Sequence, residues 1–339
     1  MNILVTGGAG FIGSHTVIAL SEAGFTPIII DDFSNSNQRV IAGLEKILGK
    51  KPRLYTENCH NAAVLRQIIR EEKIEGVIHF AAFKSVGESQ MEPLKYYDNN
   101  LGSLLTLMQV MLECGVPNLI FSSSATVYGE PDRLPVTEDT PTPPAESVYG
   151  NTKQIGEEII RDTAAAGKPI KGIALRYFNP IGAHPTALIG ELPIGVPNNL
   201  IPFITQTAAG LRPTLTVFGD DYPTPDGTCL RDFIHVMDLA EAHVAAIRYL
   251  IHHTAPTMYD VFNVGTGNGN SVMEIIQMFE EISSKPLNYR IGERRGGDVA
   301  AVYADAGKIR QHLGWSAKRN LREALSDAWR WQESLGMGS

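Results

Sequence analysis

The sequence predicts an α/β fold: a doubly wound parallel sheet carrying helices on both faces, joined to a smaller α/β domain. Three observations predict it. Short β-branched runs alternate with amphipathic stretches through the first third of the chain, a glycine-rich turn separates the first run from the first amphipathic stretch, and the alternation lapses near residue 179. In order, the runs are Ile3–Thr6, Thr26–Ile30, Arg53–Tyr55 and Gly76–Phe80, and the amphipathic stretches are Phe11–Ala23, Asn37–Leu48 and Val64–Glu72. A helix near Pro93–Cys114 and a strand from Asn118 to Ser122 continue the pattern, followed by a Pro-rich surface loop from Pro131 to Pro144 and a strand at Ile173–Arg176. From Asn179 to Asn199 loosely spaced segments surround Pro180, Pro185, Pro193 and Pro197, where the smaller domain is expected to begin. A helix at Val236–Leu250 and a strand at Val261–Val264 read as a return to the sheet. The expected division is therefore residues 1–179 with 236–264 for the large domain, and 180–235 with 265–339 for the small one.

The chain has 339 residues, 43% of them hydrophobic and 19% charged, ordinary globular usage with enough length for two domains. No apolar run approaches the roughly 20 residues of a membrane span. With 29 Lys and Arg against 37 Asp and Glu, the net charge of −8 has the wrong sign for a general nucleic-acid binder. Three distant cysteines, Cys59, Cys114 and Cys229, form neither a disulfide framework nor a zinc spacing, and the nine histidines show no metal pattern, so no metal is expected. The N-terminus lacks a basic region and reads as a buried strand, so the expected compartment is the cytoplasm. Trp315, Trp329 and Trp331 read as packing residues of the small domain and its last helix.

Gly7, Gly8, Gly10 and Gly13 follow a strand and open a helix, the Rossmann-type arrangement in which glycines admit a tight turn and close approach of a pyrophosphate to the helix N-terminus. The glycine pattern gains weight from Asp31 at the end of the second strand, where a carboxylate accepts from a ribose hydroxyl and repels a 2′-phosphate. NAD is therefore expected in preference to NADP.

Tyr149-Gly150-Asn151-Thr152-Lys153 places a phenol and an ammonium one turn apart on one helical face. Using the phenolate near neutral pH means a shift of about three units, roughly 4 kcal/mol. One cation at about 4 Å, at an effective dielectric near 20, contributes about that much before desolvation. Lys153, with the positive nicotinamide of NAD+, is expected to supply the shift and make Tyr149 a general base for a substrate hydroxyl. Ser124, at the end of the strand beginning at Asn118, is expected beside it.

The glycine loop, Asp31, Ser124 and Tyr149-x-x-x-Lys153, in this order, resemble the extended short-chain dehydrogenase/reductase superfamily. Within it the chain looks most like the UDP-glucose (UDP-galactose) 4-epimerases. The likeness runs through Phe80–Ser89, Tyr96–Asn100, Leu175–Pro180, Gly219–Thr224, Arg231–Asp238 and Arg295-Gly296-Gly297-Asp298. The resemblance implies cofactor contacts from Gly7, Gly10, Phe11, Ile12, Gly13, Asp31, Asp32, Asn35, Ser36, Asn58, Cys59, Phe80, Ala81, Ala82, Lys84, Asn99 and Phe178, with Lys84 reaching the diphosphate or ribose. It implies a UDP-hexose site with Ser124 and Tyr149 at the sugar. Asn179, Asn199, Leu200, Thr216, Val217, Phe218, Arg231, Arg295, Asp298 and Val302 complete that site. A homodimer formed through helices near Pro93–Cys114 and Tyr149–Ala166 is implied in the same way.

Three positions depart from the resemblance. Asn58 stands where the family usually has an acid to meet the adenine amino group, leaving an amide oxygen that still accepts. Ala125 and Thr126 replace the acidic pair of related dehydratases, which disfavours dehydration. Val302 stands where glucose-restricted members often hold a bulky aromatic, which implies room for an acetamido group and UDP-GlcNAc/UDP-GalNAc as a second substrate pair. The alternatives weighed beside a 4-epimerase are a UDP-glucuronate 4-epimerase or decarboxylase, and a non-catalytic NAD-binding regulatory protein.

Overall fold

The structure is a computed structural model that describes residues 1–336. In the first half, β1 (Asn2–Thr6), α1 (Phe11–Glu22), β2 (Thr26–Ile30), α2 (Arg39–Leu48), β3 (Arg53–Tyr55), α3 (Ala62–Glu71) and β4 (Ile74–His79) alternate as their hydrophobic patterning dictates. Next come α4 (Val86–Met91), α5 (Pro93–Tyr97), α6 (Ser103–Cys114), β5 (Asn118–Ser124), α7 (Val148–Ala165), β6 (Lys171–Tyr177) and β7 (Asn179–Ile181). They are followed by α8 (Leu200–Ala208), β8 (Leu215–Phe218), β9 (Leu230–Arg231), β10 (Phe233–His235), α9 (Val236–His252) and β11 (Met258–Val264). The chain finishes with β12 (Asn270–Ser271), α10 (Val272–Ser283), β13 (Tyr289–Gly292), β14 (Ala301–Val302), α11 (Gly307–Leu313) and α12 (Leu321–Gly336).

Seven strands form one parallel sheet in the order β11-β6-β5-β4-β1-β2-β3. Winding reverses between β1 and β4, so a crevice opens outside the carboxyl ends of the strands there. Ile3, Val5, Ile29, Ile120 and Phe262 pack with α1 and α9 on one face, and Leu4, Ile28, Leu119 and Ala174 pack with α3 and α6 on the other. Burial on both faces is why these strands read as unbroken apolar runs. The expected continuous helix at Pro93–Cys114 is instead α5 and α6 joined by a π-helical turn at Asp98–Gly102, which carries Asn99 and Asn100.

The smaller layer has only short ribbons: β10 with β7, β13 with β8, and β12-β9-β14. Its core joins Ile204, Val217, Ile276, Phe279, Leu325 and Trp329 beneath α8, α10 and α12. Two expectations change here. Ile309 of α11 and Trp315 belong to the core of the large sheet, and Trp315 Nε1 donates to Asp238 O at 3.1 Å. The stretch from α11 to Trp315 thus packs with the large layer although it follows residue 265, because its apolar side chains meet α9 and β11.

Candidate active site

A cavity of about 1240 Å³ runs from the crevice at β1 and β4 to the smaller layer. Its floor at one end is the glycine turn. Gly7 has φ +66°, and a Cβ added there would lie 2.9 Å from Ala81 N; one added at Gly13 would lie 2.2 Å from Gly7 O. Only glycine lets this turn sit against the end of β4 while helix α1 starts with no side-chain cap over its free N–H groups. Asp31 closes the turn: its carboxylate accepts from Ala9 N at 2.9 Å, Phe33 N at 2.9 Å and Ser36 Oγ at 2.8 Å. Burial raises its pKa, and these bonds oppose the rise. An uncapped helix end, a cradle that any Cβ would fill and a strand-end carboxylate fit a dinucleotide.

At the centre, β5 delivers Ser124 and α7 delivers Tyr149 and Lys153, all lining the cavity. Lys153 Nζ donates to Ser122 O at 2.7 Å and lies 5.6 Å from the centroid of the Tyr149 ring. Burial brings Lys153 down to about 8, opposed by the charge of Glu157. Burial also pushes Tyr149 up to about 12, opposed by a hydrogen bond with Ser124. The lowered tyrosine expected from the sequence is thus not a property of the protein alone, because desolvation of the phenolate outweighs a lysine whose ammonium is turned to a carbonyl. Tyr149 rests as a neutral phenol. His79 beneath this group, hydrogen-bonded to Thr6 at 2.8 Å, is pushed down by burial to about 3 and stays uncharged.

The other end belongs to the smaller layer. Asp298 binds Arg295 through two contacts of 3.0 and 2.8 Å, and Arg231 at 3.5 Å. Glu191 Oε1 accepts from Lys84 Nζ at 3.2 Å and from Asn199 Nδ2 at 2.6 Å. Beside Arg231, the buried Asp232 accepts from Thr266 N, Gly267 N and Ala304 N, which ties the end of β9 to the loop after β11 and to the segment after β14.

Of the residues expected at the site, Gly7, Gly10, Phe11, Ile12, Gly13, Asp31, Asp32, Asn35, Ser36, Asn58, Cys59, Phe80, Ala81, Ala82, Lys84, Asn99 and Phe178 line the cavity, as do Asn179, Asn199, Arg231, Arg295, Asp298 and Val302. Four do not. Val217 is buried in the core of the smaller layer, Leu200 packs against that core, and Thr216 meets Arg290 at 3.4 Å. Phe218 is exposed, and the Arg295 guanidinium lies 5.6 Å from its ring centroid. Asn58 donates to Asp32 at 2.7 Å while its oxygen accepts from His60 N at 2.9 Å, so the amide foreseen for adenine also orders its own turn.

Sequence reasoning missed Asn100 and Glu191. Asn100 accepts from Phe83 N at 2.8 Å, donates to Phe83 O at 3.0 Å and donates to Thr152 of α7 at 3.1 Å, joining the loop after β4 to the helix that carries Tyr149 and Lys153. A second asparagine after Asn99 gave no sign of this role, and Glu191 sits in a loop without periodicity.

The family described as "NAD dependent epimerase/dehydratase family" matches residues 3–265. The chain is 49% identical over 330 residues to UDP-glucose 4-epimerase of Dictyostelium discoideum, covering 97% of this chain and 95% of that one. It belongs to the UDP-glucose 4-epimerases of the NAD-dependent epimerase/dehydratase family. A solved UDP-glucose 4-epimerase from Stenotrophomonas maltophila, with bound NAD and formylated UDP-arabinopyranose, is similar throughout, with TM-score 0.97, 45% identity and 100% of each chain covered. That from Bifidobacterium longum, in complex with NAD+ and UDP, has TM-score 0.95 and 44% identity, again with 100% of each chain covered.

Proposed function

We propose that this protein interconverts UDP-glucose and UDP-galactose at C4 through a transient 4-keto sugar, using NAD. The observation that carries the reading is the meeting of Ser124, Tyr149 and Lys153 at the middle of one continuous cavity. The glycine cradle stands at one end of that cavity and Arg231, Arg295 and Asp298 at the other. The glycine turn and the N-terminus of α1 hold a diphosphate, and Asp31 faces a ribose. When bound there, NAD supplies a hydride acceptor and donor for C4. Tyr149 removes the 4′-hydroxyl proton and returns it after the sugar turns over. Ser124 hydrogen-bonds the reacting oxygen, and Lys153 stabilises the phenolate electrostatically while orienting a cofactor hydroxyl. Arg231 and Arg295 hold the substrate diphosphate, and Asp298 accepts from its ribose once the arginines turn to the anion.

Val302 lines the cavity on β14, its small side chain paired across to Arg231, which supports acceptance of UDP-GlcNAc and UDP-GalNAc. The exposed Met91, Leu94 and Leu105 on α4, α5 and α6 support a homodimer formed through this face. No helix among the described residues is long and apolar enough to cross a membrane. The three cysteines are unpaired thiols, which supports a reducing, cytoplasmic setting. Turnover of UDP-galactose by purified protein without added NAD tests the reading: UDP-glucose formation is expected. No conversion by folded protein, even with NAD supplied, overturns it.

A further inference from the structure

Three successive serines at the end of β5 each hold one residue of α7, and the three residues held are four apart on one helical face. Ser124 shares the cavity wall with Tyr149 and opposes the rise of its pKa, the Ser122 carbonyl accepts from Lys153 Nζ at 2.7 Å, and Ser123 Oγ donates to Glu157 Oε1 at 2.5 Å. The first two pairs line the cavity, whereas Glu157 and Ser123 do not. Glu157 is buried, and its carboxylate accepts four donors: Ser123 Oγ, Arg176 Nε at 2.9 Å, Arg176 Nη2 at 2.6 Å and Tyr259 Oη at 3.4 Å. It thereby joins α7 to β5, β6 and β11 one turn below Lys153.

We propose that Glu157 is a positioning residue of the epimerase, holding the Ser122–Ser124 segment against α7 through Ser123 and counterbalancing the buried charge of Lys153. Lys153 makes no ion pair among the described residues, and its one hydrogen bond is to a neutral carbonyl. Around it stand the rings of Tyr149 and Phe121, with centroids 5.6 and 5.1 Å from Nζ, His79 of β4 and Glu157 of α7, the last in turn bonded to Arg176 of β6 and Tyr259 of β11. Among these, Glu157 is the one carboxylate, facing two cations. Ser123 is the middle serine: with both neighbours facing the cavity, movement of Ser123 moves Ser124 away from Tyr149 and the Ser122 carbonyl away from Lys153.

The inference rests on the epimerase reading, whose own failure shows as an inactive wild-type enzyme. Two variants test it in the active enzyme. Ser123→Ala keeps the Arg176–Glu157 pair and removes the tether; it is expected to lower kcat for UDP-galactose about tenfold with KM within about twofold. Glu157→Gln keeps the shape and removes the charge. The Lys153 ammonium, followed by NMR in nucleotide-free protein, is then expected to titrate about one pH unit lower than in wild type, and the alkaline limb of kcat to move the same way. Wild-type kcat in Ser123→Ala, or an unmoved Lys153 titration in Glu157→Gln, overturns the proposal. If Glu157→Gln does not fold, kcat of Ser123→Ala decides alone.

Discussion

The glycine-turn end of the cavity and the end lined by Arg231 and Arg295 are built on different principles. At the first, polar groups are consumed in ordering the backbone: Asp31 holds Ala9, Phe33 and Ser36, and Asn100 holds Phe83 and Thr152, all on a seven-stranded sheet with an apolar core on both sides. At the second, polar and charged side chains carried by β9 and by loops are paired with one another, Arg231 and Arg295 with Asp298, and Glu191 with Asn199 and with Lys84, which reaches over from the loop after β4. The glycine-turn end is thus ordered by the chain's own hydrogen bonds. At the arginine end, two carboxylates, Asp298 and Glu191, face three cations, Arg231, Arg295 and Lys84, so an anion arriving there exchanges partners with carboxylates at a place left with one net positive charge. Tyr149, Ser124 and Lys153 sit where the two meet.

The largest effect expected tests that meeting point. Tyr149→Phe should lower kcat by about two to four orders of magnitude while binding of both nucleotides survives, and unchanged turnover would remove Tyr149 from the mechanism. At the glycine-turn end, Asp31→Ala loses a carboxylate with three donors. NAD retention is expected to fall about 100-fold, measured as nucleotide remaining after gel filtration, with UDP affinity unaffected. At the exchanging end, Arg231→Ala should raise KM for UDP-galactose about 10- to 100-fold with kcat nearly preserved. Arg295→Ala should do less, because its side chain is 53% exposed against 14% for Arg231. Equal losses would contradict the contrast between the partners of Asp298. Val302→Tyr should remove turnover of the N-acetylated pair and spare UDP-galactose, assayed side by side.

The smallest effect is on stability. His15, His79 and His243 are pushed down by burial to about 3, 3 and 4. Their folded pKa values lie below the unfolded value near 6.5, so the unfolded chain binds more protons in that window and stability falls as pH drops from about 6.5 towards 4. Melting temperature measured across this range should fall steeply, and His243→Gln should make the slope shallower.

Much of the site was legible because its determinants are local. Gly7, Gly10 and Gly13 follow a strand directly, and Tyr149 and Lys153 are one helical turn apart, so spacing alone puts each set on one surface. Val217 and Phe218 came by resemblance, and their neighbours depend on how β8 and β13 pair, which no local pattern encodes. Glu191 and Asn199 lie eight residues apart in a loop whose shape is set by Trp331, whose indole donates to Glu191 O at 2.9 Å from the far end of the chain.

By itself the sequence determined the alternation of strands and helices in the first half, the glycine turn after β1 and the placement of Tyr149 and Lys153 one helical turn apart. All of these follow from periodicity, turn chemistry and short-range spacing. Tertiary structure alone decided that Tyr149 rests as a neutral phenol, that Trp315 packs under the large sheet, that Glu191 spans Lys84 and Asn199, and that Glu157 meets Ser123. Burial and long-range pairing set those features, since desolvation and hydrogen-bond partners depend on which distant segments close over a residue.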